Sequence, residues 1–357
     1  MSSPHQPWDA AAFRAAVSTA LAAFVDEQAG RLGPLGEDAA LLVDQARRSL
    51  SGGKRLRAAF CYWGYRAVRE PDDEAGLLRA VGALELLHAS ALVHDDYMDA
   101  SDTRRGRPAT HKALEALHRE RGWSGDARQY GAAGAILLGD LLLSWSEEML
   151  RTCGLPDGPV RAAQGLFDAT RSEVITGQFL DVCAQARGAS DVDAAMRVLR
   201  FKSAKYTVER PLHIGAALAG GGPDLQRALS GFGLPLGEAF QLRDDLLGVF
   251  GDPDVTGKPA GDDLSEGKRT VLVALAVQGA RPERAKLLNG KLGTALSGGD
   301  VDELRRVIDE SGAHAEVEAR ITELTEASLG ALAEAPVTDQ ARVVLRELAE
   351  AATQRVV

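Results

Sequence analysis

The chain has 357 residues, of which 45% are hydrophobic and 5% aromatic, and its formal net charge is −10. This acidic balance, without a long Lys/Arg block, argues against nucleic acid as a partner. Three scattered cysteines argue against a disulfide framework and fit a reducing cytoplasm. The N-terminus does not have the pattern of a signal peptide, and charges interrupt the apolar stretches. We therefore expect a cytoplasmic protein with no integral membrane segment.

The composition and the hydrophobic spacing both predict helices. Ala and Leu dominate, and apolar residues recur at intervals of three and four in most segments. We find no fixed-period repeat, strand-rich segment or low-complexity linker. The expected fold is all-α, in a single domain over residues 1–357.

The first predicted helices span 8–32 and 37–50, and a third opens at the sequence Lys54-Arg55-Leu56-Arg57 and runs to residue 68. Lys54 and Arg57 are three residues apart, so they share one face at the start of this helix. They are either solubilising surface cations or part of a phosphate site.

The next predicted helix, 72–99, brings three acids to its C-terminal end. Asp95, Asp96 and Asp99 share one face, where they repel one another and meet the negative end of the helix dipole. A divalent cation such as Mg²⁺, which commonly accompanies a phosphate-bearing substrate, would compensate them. His88, seven residues before Asp95, faces nearly the same way and is either a core histidine or a ligand.

A polar loop at 100–108 follows, with adjacent Arg104 and Arg105. These guanidinium groups could neutralise the three acids or hold diphosphate oxygens bidentately. Further helices are predicted at 111–122, 131–153 and 160–187, and the last carries Gln178 and Asp181 on one side.

Two later segments repeat the charge pattern. A predicted helix at 191–220 contains Lys202, Ser203 and Lys205, and interior lysines need a charge partner, either a bound anion or an internal acid. The helix at 224–250 carries a second acid pair, Asp244 and Asp245, and a Gly/Pro loop follows it. Residues 270–357 are amphipathic helices without a chemical cluster. The two acid clusters predict facing walls of one metal–diphosphate site.

Taken together, the paired aspartate motifs, with GGKRLR before them and TGKPAGDD after them, resemble the trans-isoprenyl diphosphate synthases of the polyprenyl synthetase family, and most of all the bacterial geranylgeranyl diphosphate synthases. The resemblance implies an isoprenoid-synthase helical bundle around a deep central cavity, present as a homodimer. It implies a prenyltransferase that joins isopentenyl diphosphate to an allylic diphosphate head to tail and releases pyrophosphate.

The resemblance also implies residue roles. Mg²⁺, three ions per active site with Mn²⁺ as a substitute, would be held by Asp95, Asp96, Asp99, Asp244 and Asp245. The allylic diphosphate would be gripped by Arg104, Lys202 and Lys258, with Lys268 nearby. Isopentenyl diphosphate would be held by Lys54, Arg57, His88 and Arg105. The reaction centre would be lined by Gln178, Ser203 and Gln241. One departure is Gly248, which replaces an acid often found at the third position of the second motif.

In this family, bulky residues four or five positions before the first acid motif cap the growing tail. Here these are Ala91 and Ser90, which are small, and the motif lacks the two-residue expansion of bacterial farnesyl synthases. We expect geranylgeranyl diphosphate, with longer polyprenyl or farnesyl diphosphate as alternatives. A class I terpene cyclase would have no use for Lys54, Arg57 and Arg105, and a non-catalytic partner subunit would typically lose one aspartate motif.

Overall fold

The computed structural model describes residues 8–188, 190–252 and 261–353, and helices make up nearly all of its regular structure. The expected all-α fold is confirmed. The first half comprises α1 Ala10–Leu32, α2 Glu37–Leu50, α3 Leu56–Arg66, α4 Glu74–Met98, α5 Thr110–Glu120, α6 Ala127–Arg151 and α7 Asp157–Arg187, with a short 3₁₀ turn at Gly33–Leu35. The second half comprises α8 Val192–Val198, a π-helix Leu199–Glu209, α9 Arg210–Leu218, α10 Pro223–Phe250, α11 Asp262–Glu266, α12 Val271–Gly279, α13 Pro282–Lys291, α14 Gly298–Glu310, α15 Ala313–Glu334 and α16 Asp339–Thr353.

The loop predicted at 100–108 contains a small antiparallel hairpin. Strand β1, Thr103–Arg104, pairs with β2, Arg107–Pro108. The two residues between them, Arg105 and Gly106, both have positive φ, of 53° and 70°. This combination is typical of a tight two-residue hairpin turn, and it fixes the direction of the neighbouring arginine side chains.

The segment predicted as one helix at 191–220 is helical over 192–218, but its middle section is a π-helix, which the sequence did not predict. Two glycines allow neighbouring helices to press against this section. A Cβ on Gly177 of α7 would lie 2.5 Å from the backbone nitrogen of Lys202, and one on Gly237 of α10 would lie 2.4 Å from the carbonyl oxygen of Ala204. π-Helical turns are rare and are frequent at functional sites.

Two hydrophobic clusters form the core, and α10 and α15 contribute to both. From α10, Phe232 belongs to the cluster that includes α1 to α4, whereas Leu246 belongs to the one that includes α12 to α14. From α15, Leu332 and Val317 divide in the same way. These shared helices support our proposal that the chain is one domain.

The expectation that charges interrupt the apolar stretches is tested most closely by α4, which contains Arg79 and Glu85. Among the described residues, this 25-residue helix is long and apolar enough to cross a membrane by length and composition alone. Its apolar window is 72% buried inside the protein, which is typical of a core helix.

We predict that Gly215→Ala destabilises the protein by about 3 kcal/mol. A Cβ on Gly215 of α9 would lie 1.8 Å from the carbonyl oxygen of Cys61 in α3, so the two helices would have to separate. Gly330→Ala in α15 is the matched control, because nothing lies within 4 Å of its added methyl group. The control should gain about 0.5–1 kcal/mol from helix propensity. Both are measured by denaturant unfolding, where a single transition is expected; equal midpoints for the two variants would contradict the packing argument.

Candidate active site

The first acid cluster lies where α4 ends. Asp73 caps the N-terminus of this helix, where its side chain accepts a hydrogen bond from the Gly76 N–H at 2.9 Å, and Asp99 caps its C-terminus. Asp96, 3% exposed, accepts a bond from Nε of Arg104 at 2.7 Å. The β1–β2 hairpin therefore brings Arg104 back onto the acids of the preceding helix.

Asp95 is held by side chains from α7 and the π-helix. Its Oδ1 accepts hydrogen bonds from Nε2 of Gln178 at 3.0 Å and from Nζ of Lys202 at 3.4 Å. Lys202 also donates to Asp181 Oδ2 at 2.6 Å. Burial opposes ionisation of Asp95, but Lys202, Lys268 and Arg104 together lower its pKa. The partners of Lys202 are internal acids, which is one of the two alternatives that the sequence left open.

Of the three carboxylates in the first cluster, Asp99 has the most distant cationic partner. Burial, with repulsion from Asp95, raises the pKa of Asp99 to about 6. Its Oδ2 has no hydrogen-bond partner among the described residues, although Nζ of Lys268 lies 3.6 Å away. A bound cation would satisfy a buried carboxylate oxygen that accepts no hydrogen bond.

The second acid cluster lies on the last turns of α10. Nε2 of Gln241 donates to Oδ1 of Asp245 at 2.9 Å. Asp245 is buried, and burial, with nearby Asp263 and Asp244, raises its pKa well above the ordinary value. In the second cluster, as in the first, neighbouring carboxylates therefore oppose ionisation of a buried aspartate.

Lys268 lies between the two clusters. It contacts Asp99 from the first, and it also contacts Asp263 at 3.2 Å and Glu266. Although burial opposes its charge, these acids raise the pKa of Lys268 well above the ordinary value, so the side chain is cationic. The sequence named Lys268 only as a neighbour of the site, whereas its position is central.

A second, cation-rich group lies beside the acids. Nδ1 of His88 lies 2.7 Å from the hydroxyl of Tyr206, and the guanidinium of Arg57 lies 4.1 Å above the Tyr206 ring. Arg57 donates to Thr207 at 2.9 Å, while its buried Nε has no partner among the described residues. Burial, then Arg57 and Arg105, lower the pKa of His88 well below the ordinary value, so the imidazole is neutral.

Arg105 and Lys54 lie at the rim of this group. Nη1 of Arg105 donates to the carbonyl oxygen of Ser51 at 2.8 Å, and a Cβ on Gly53 would lie 3.0 Å from the other Arg105 nitrogen. Burial, together with nearby Arg55, lowers the pKa of Arg105. Lys54 is exposed. The cations therefore surround a position suited to an anion.

Sequence reasoning missed the ion pair between Arg55 and Glu85, which holds the loop before α3. Arg55 has a positive φ of 54°, and its Nη1 donates to Oε2 of Glu85 at 3.0 Å. The other oxygen of Glu85 accepts a bond from the Ala58 N–H at 3.3 Å, and both side chains are only 5% exposed. The available signal was Glu85 itself, an acid in an apolar helix three residues before His88.

The remaining residues named from the sequence lie on the π-helix, on α4 or outside the described residues. Ser203 is half-buried on the π-helix, Ser90 is buried on α4, and Ala91 is half-buried beside it. Lys205, which the sequence grouped with Lys202, is instead paired with Glu173 at 2.7 Å. Lys258 lies outside the described residues.

The acid clusters supply the ligand type that Mg²⁺ prefers, since carboxylate oxygens are hard donors. Within the described ranges, no group of three or more His, Cys, Asp or Glu side chains is already close enough to enclose a metal ion.

Comparison with known proteins identifies the family. The polyprenyl synthetase family model matches residues 40–310. A geranylgeranyl pyrophosphate synthase from Corynebacterium glutamicum, whose crystal structure holds isoprenyl diphosphate and magnesium, is 42% identical, with a TM-score of 0.95 over 98% of this chain and 100% of that one. Geranylfarnesyl diphosphate synthase of Aeropyrum pernix is 32% identical over 86% of this chain and 91% of its own length. Geranylgeranyl diphosphate synthase of Mycobacterium tuberculosis is 33% identical over 82% and 78%.

The acid clusters on α4 and α10, the cations beside them and the family match agree with one another. The chain belongs to the polyprenyl synthetase family and is a trans-prenyltransferase.

Proposed function

We propose that the enzyme condenses isopentenyl diphosphate with allylic diphosphates, head to tail, and that its product is geranylgeranyl diphosphate. One observation carries the proposal: an acid-rich site and a cation-rich site lie side by side at the end of α4. Asp95 and His88 belong to the same helix, seven residues apart, yet one contacts Lys202 and the other is surrounded by arginines. Two diphosphates with different roles require two such sites.

The enzyme is magnesium-dependent, and we place three ions between the acid clusters, with Mn²⁺ as a substitute. The ligands would be Asp95, Asp96, Asp99, Asp244 and Asp245. The buried Oδ2 of Asp99, which accepts no hydrogen bond from the described residues, supports this assignment. When bound, the metal neutralises the diphosphate of the allylic substrate and favours its departure.

The cations among the acids would hold the same allylic diphosphate. Arg104, Lys202 and Lys268 each contact a carboxylate of this site. Metal binding to those carboxylates would free the three side chains to bind diphosphate oxygens. Lys258, by resemblance alone, would join them.

Isopentenyl diphosphate would occupy the cation-rich group of Lys54, Arg57, His88 and Arg105. The neutral imidazole of His88 can offer one N–H to a phosphate oxygen, and the buried Arg57 Nε is a free donor. Arginine binds phosphate oxygens bidentately, which would fix the orientation of the reacting double bond.

The proposed reaction is ionisation of the allylic C–O bond, attack by the isopentenyl double bond on the allylic carbon, and loss of a proton to the released pyrophosphate. The apolar surroundings would exclude water that could trap the cation. The side-chain oxygens of Gln178, Ser203 and Gln241 would stabilise its positive charge. A terpene cyclase is not favoured, because the cation-rich site would then have no ligand.

A homodimer is part of the proposal. Among the described residues, large apolar side chains are exposed on α6 and α7, and Ile175, Phe179 and Val182 share one face of α7. We expect Phe179→Glu to shift the protein towards its monomer mass of 37.8 kDa in sedimentation equilibrium, because charge would be buried at the interface. Val343→Glu, at a residue 51% exposed on α16, is the control and should remain dimeric. A monomeric wild type would contradict the proposal.

The central test is product length. Purified enzyme with Mg²⁺ and isopentenyl diphosphate is incubated separately with dimethylallyl, geranyl and farnesyl diphosphates, and products are identified by mass. We expect each primer to be extended to the same twenty-carbon diphosphate, and chelation of the metal to abolish the reaction. A series of products that stops at another length would change the assigned product. Cyclised hydrocarbon, or no product from any primer, would overturn the proposed function.

We expect Ala91→Phe to shorten the product. Ala91 is half-buried four residues before Asp95, so a phenyl ring there can enter the space proposed for the tail. Ser90 is only 3% exposed, and a ring there would have to displace core side chains. Ala91→Val is the graded control and should shorten the product less. Unchanged product from a folded, active Ala91→Phe enzyme would show that the tail does not pass this residue.

A further inference from the structure

Glu173 of α7 binds two cations to which the proposed reaction assigns no role. Its Oε1 lies 2.7 Å from Nζ of Lys205, and its two oxygens accept hydrogen bonds from Nε and Nη2 of Arg210 at 2.8 and 2.7 Å. Although burial opposes its charge, the hydrogen bonds from Arg210 and Lys205 lower the pKa of Glu173. The carboxylate is therefore ionised and holds both cations at once.

The two cations lie at the ends of the last turn of the π-helix. The Arg210 N–H donates to the carbonyl oxygen of Lys205, five residues earlier, which is the hydrogen bond of a π-helix. In an α-helix, side chains five residues apart would point about 140° away from each other. The wider π turn brings them to one side, where a single carboxylate reaches both.

This turn also carries two hydroxyl groups that contact the cation-rich site. The hydroxyl of Tyr206 lies 2.7 Å from Nδ1 of His88, and the hydroxyl of Thr207 accepts a hydrogen bond from Arg57 at 2.9 Å. Tyr206 and Thr207 follow Lys205 directly in the chain. A change in the turn would therefore move the partners of His88 and Arg57.

Lys202 lies before this turn and has partners of its own. It contacts Asp95 at 3.4 Å and Asp181 at 2.6 Å, and its backbone nitrogen packs against Gly177 of α7. The proposed allylic site therefore depends less on Glu173 than the cation-rich site does.

Without the Glu173 carboxylate, the turn would lose its balance of charge. Lys205 and Arg210 are only 15% and 18% exposed, so removing their shared partner would leave two cations poorly compensated. They would also repel each other, and like charges one turn apart destabilise a helix. The carboxylate therefore stabilises a π turn that its neighbours in the chain would oppose.

We propose that Glu173 is a positioning residue for isopentenyl diphosphate. By binding Lys205 and Arg210 together, it fixes the π turn whose hydroxyl groups hold His88 and Arg57 in place. The inference rests on the proposed function and adds to it a residue that touches neither substrate.

Glu173→Gln tests this role, because it removes the charge and keeps the size of the side chain. Glu303→Gln on α14 is the matched control, since Glu303 also lies between two cations, Lys291 at 3.0 Å and Arg284 at 3.8 Å. The measurements are kcat, the separate KM values for isopentenyl diphosphate and geranyl diphosphate, the melting temperature, and hydrogen exchange of the backbone amides over 199–210.

We expect Glu173→Gln to raise the KM for isopentenyl diphosphate about tenfold, because small displacements of binding groups are costly. The KM for geranyl diphosphate should change little, and amides at 199–210 should exchange faster. Adding Glu173→Gln to Lys205→Gln/Arg210→Gln should cost nothing further, since its partners are already absent. Glu303→Gln should behave as the wild type does.

An unchanged KM for isopentenyl diphosphate in folded Glu173→Gln would overturn the inference. So would an equal rise in both KM values, which is the result of a general loss of structure. If Glu173→Gln does not fold, Arg210→Lys, which cannot bind the carboxylate through two nitrogens, takes its place in the same measurements. No condensation by the wild type would overturn the proposed function itself, whereas amide exchange would still test whether Glu173 holds the turn.

Discussion

The structure depends on neutralising carboxylates that two helices bring into a largely buried region. Ionised acids at low dielectric are costly unless each has a cationic partner. Here three partners come from three separate elements: Arg104 from the hairpin, Lys202 from the π-helix, and Lys268 from the segment after α11. The same ion pairs that stabilise these acids therefore bring the three elements to the end of α4. In the proposed reaction, metal ions and a diphosphate take over this neutralisation.

The two proposed diphosphate sites differ in the source of positive charge, and this difference explains which substrate ionises. A metal ion stabilises the charge that develops as the allylic diphosphate departs. Arginine and neutral histidine bind a diphosphate that keeps its ester bond and has only to be oriented. Acids around His88 would weaken this site, because their negative charge would repel the diphosphate. Glu85 is the acid closest to His88 in the sequence, and its charge is neutralised by an ion pair with Arg55.

Local patterns predicted much of this molecule, and long-range packing explains what they missed. The helix at 37–50 was predicted with its observed bounds, and the shared face of Asp95, Asp96 and Asp99 followed from their spacing. The π-helix was not predictable, because it depends on the close approach of Gly177 and Gly237 from two other helices. The contact of Glu173 with Lys205 was missed for the same reason. In the sequence, the partner of Lys205 could equally have been a bound anion.

Backbone conformation and two hydrogen bonds hold the arginines of the cation-rich site in place. Arg55 and Arg105 both have positive φ, at a cost of about 1–2 kcal/mol each for residues with a Cβ. Each is held by its own guanidinium, which bonds Glu85 in one case and the Ser51 carbonyl in the other. Because these bonds restrict both arginines, less order has to be gained when an anion binds, and this strengthens affinity. Glu85 would therefore support the proposed substrate site without touching the substrate, because it holds Arg55, which lies between Lys54 and Arg57 in the sequence.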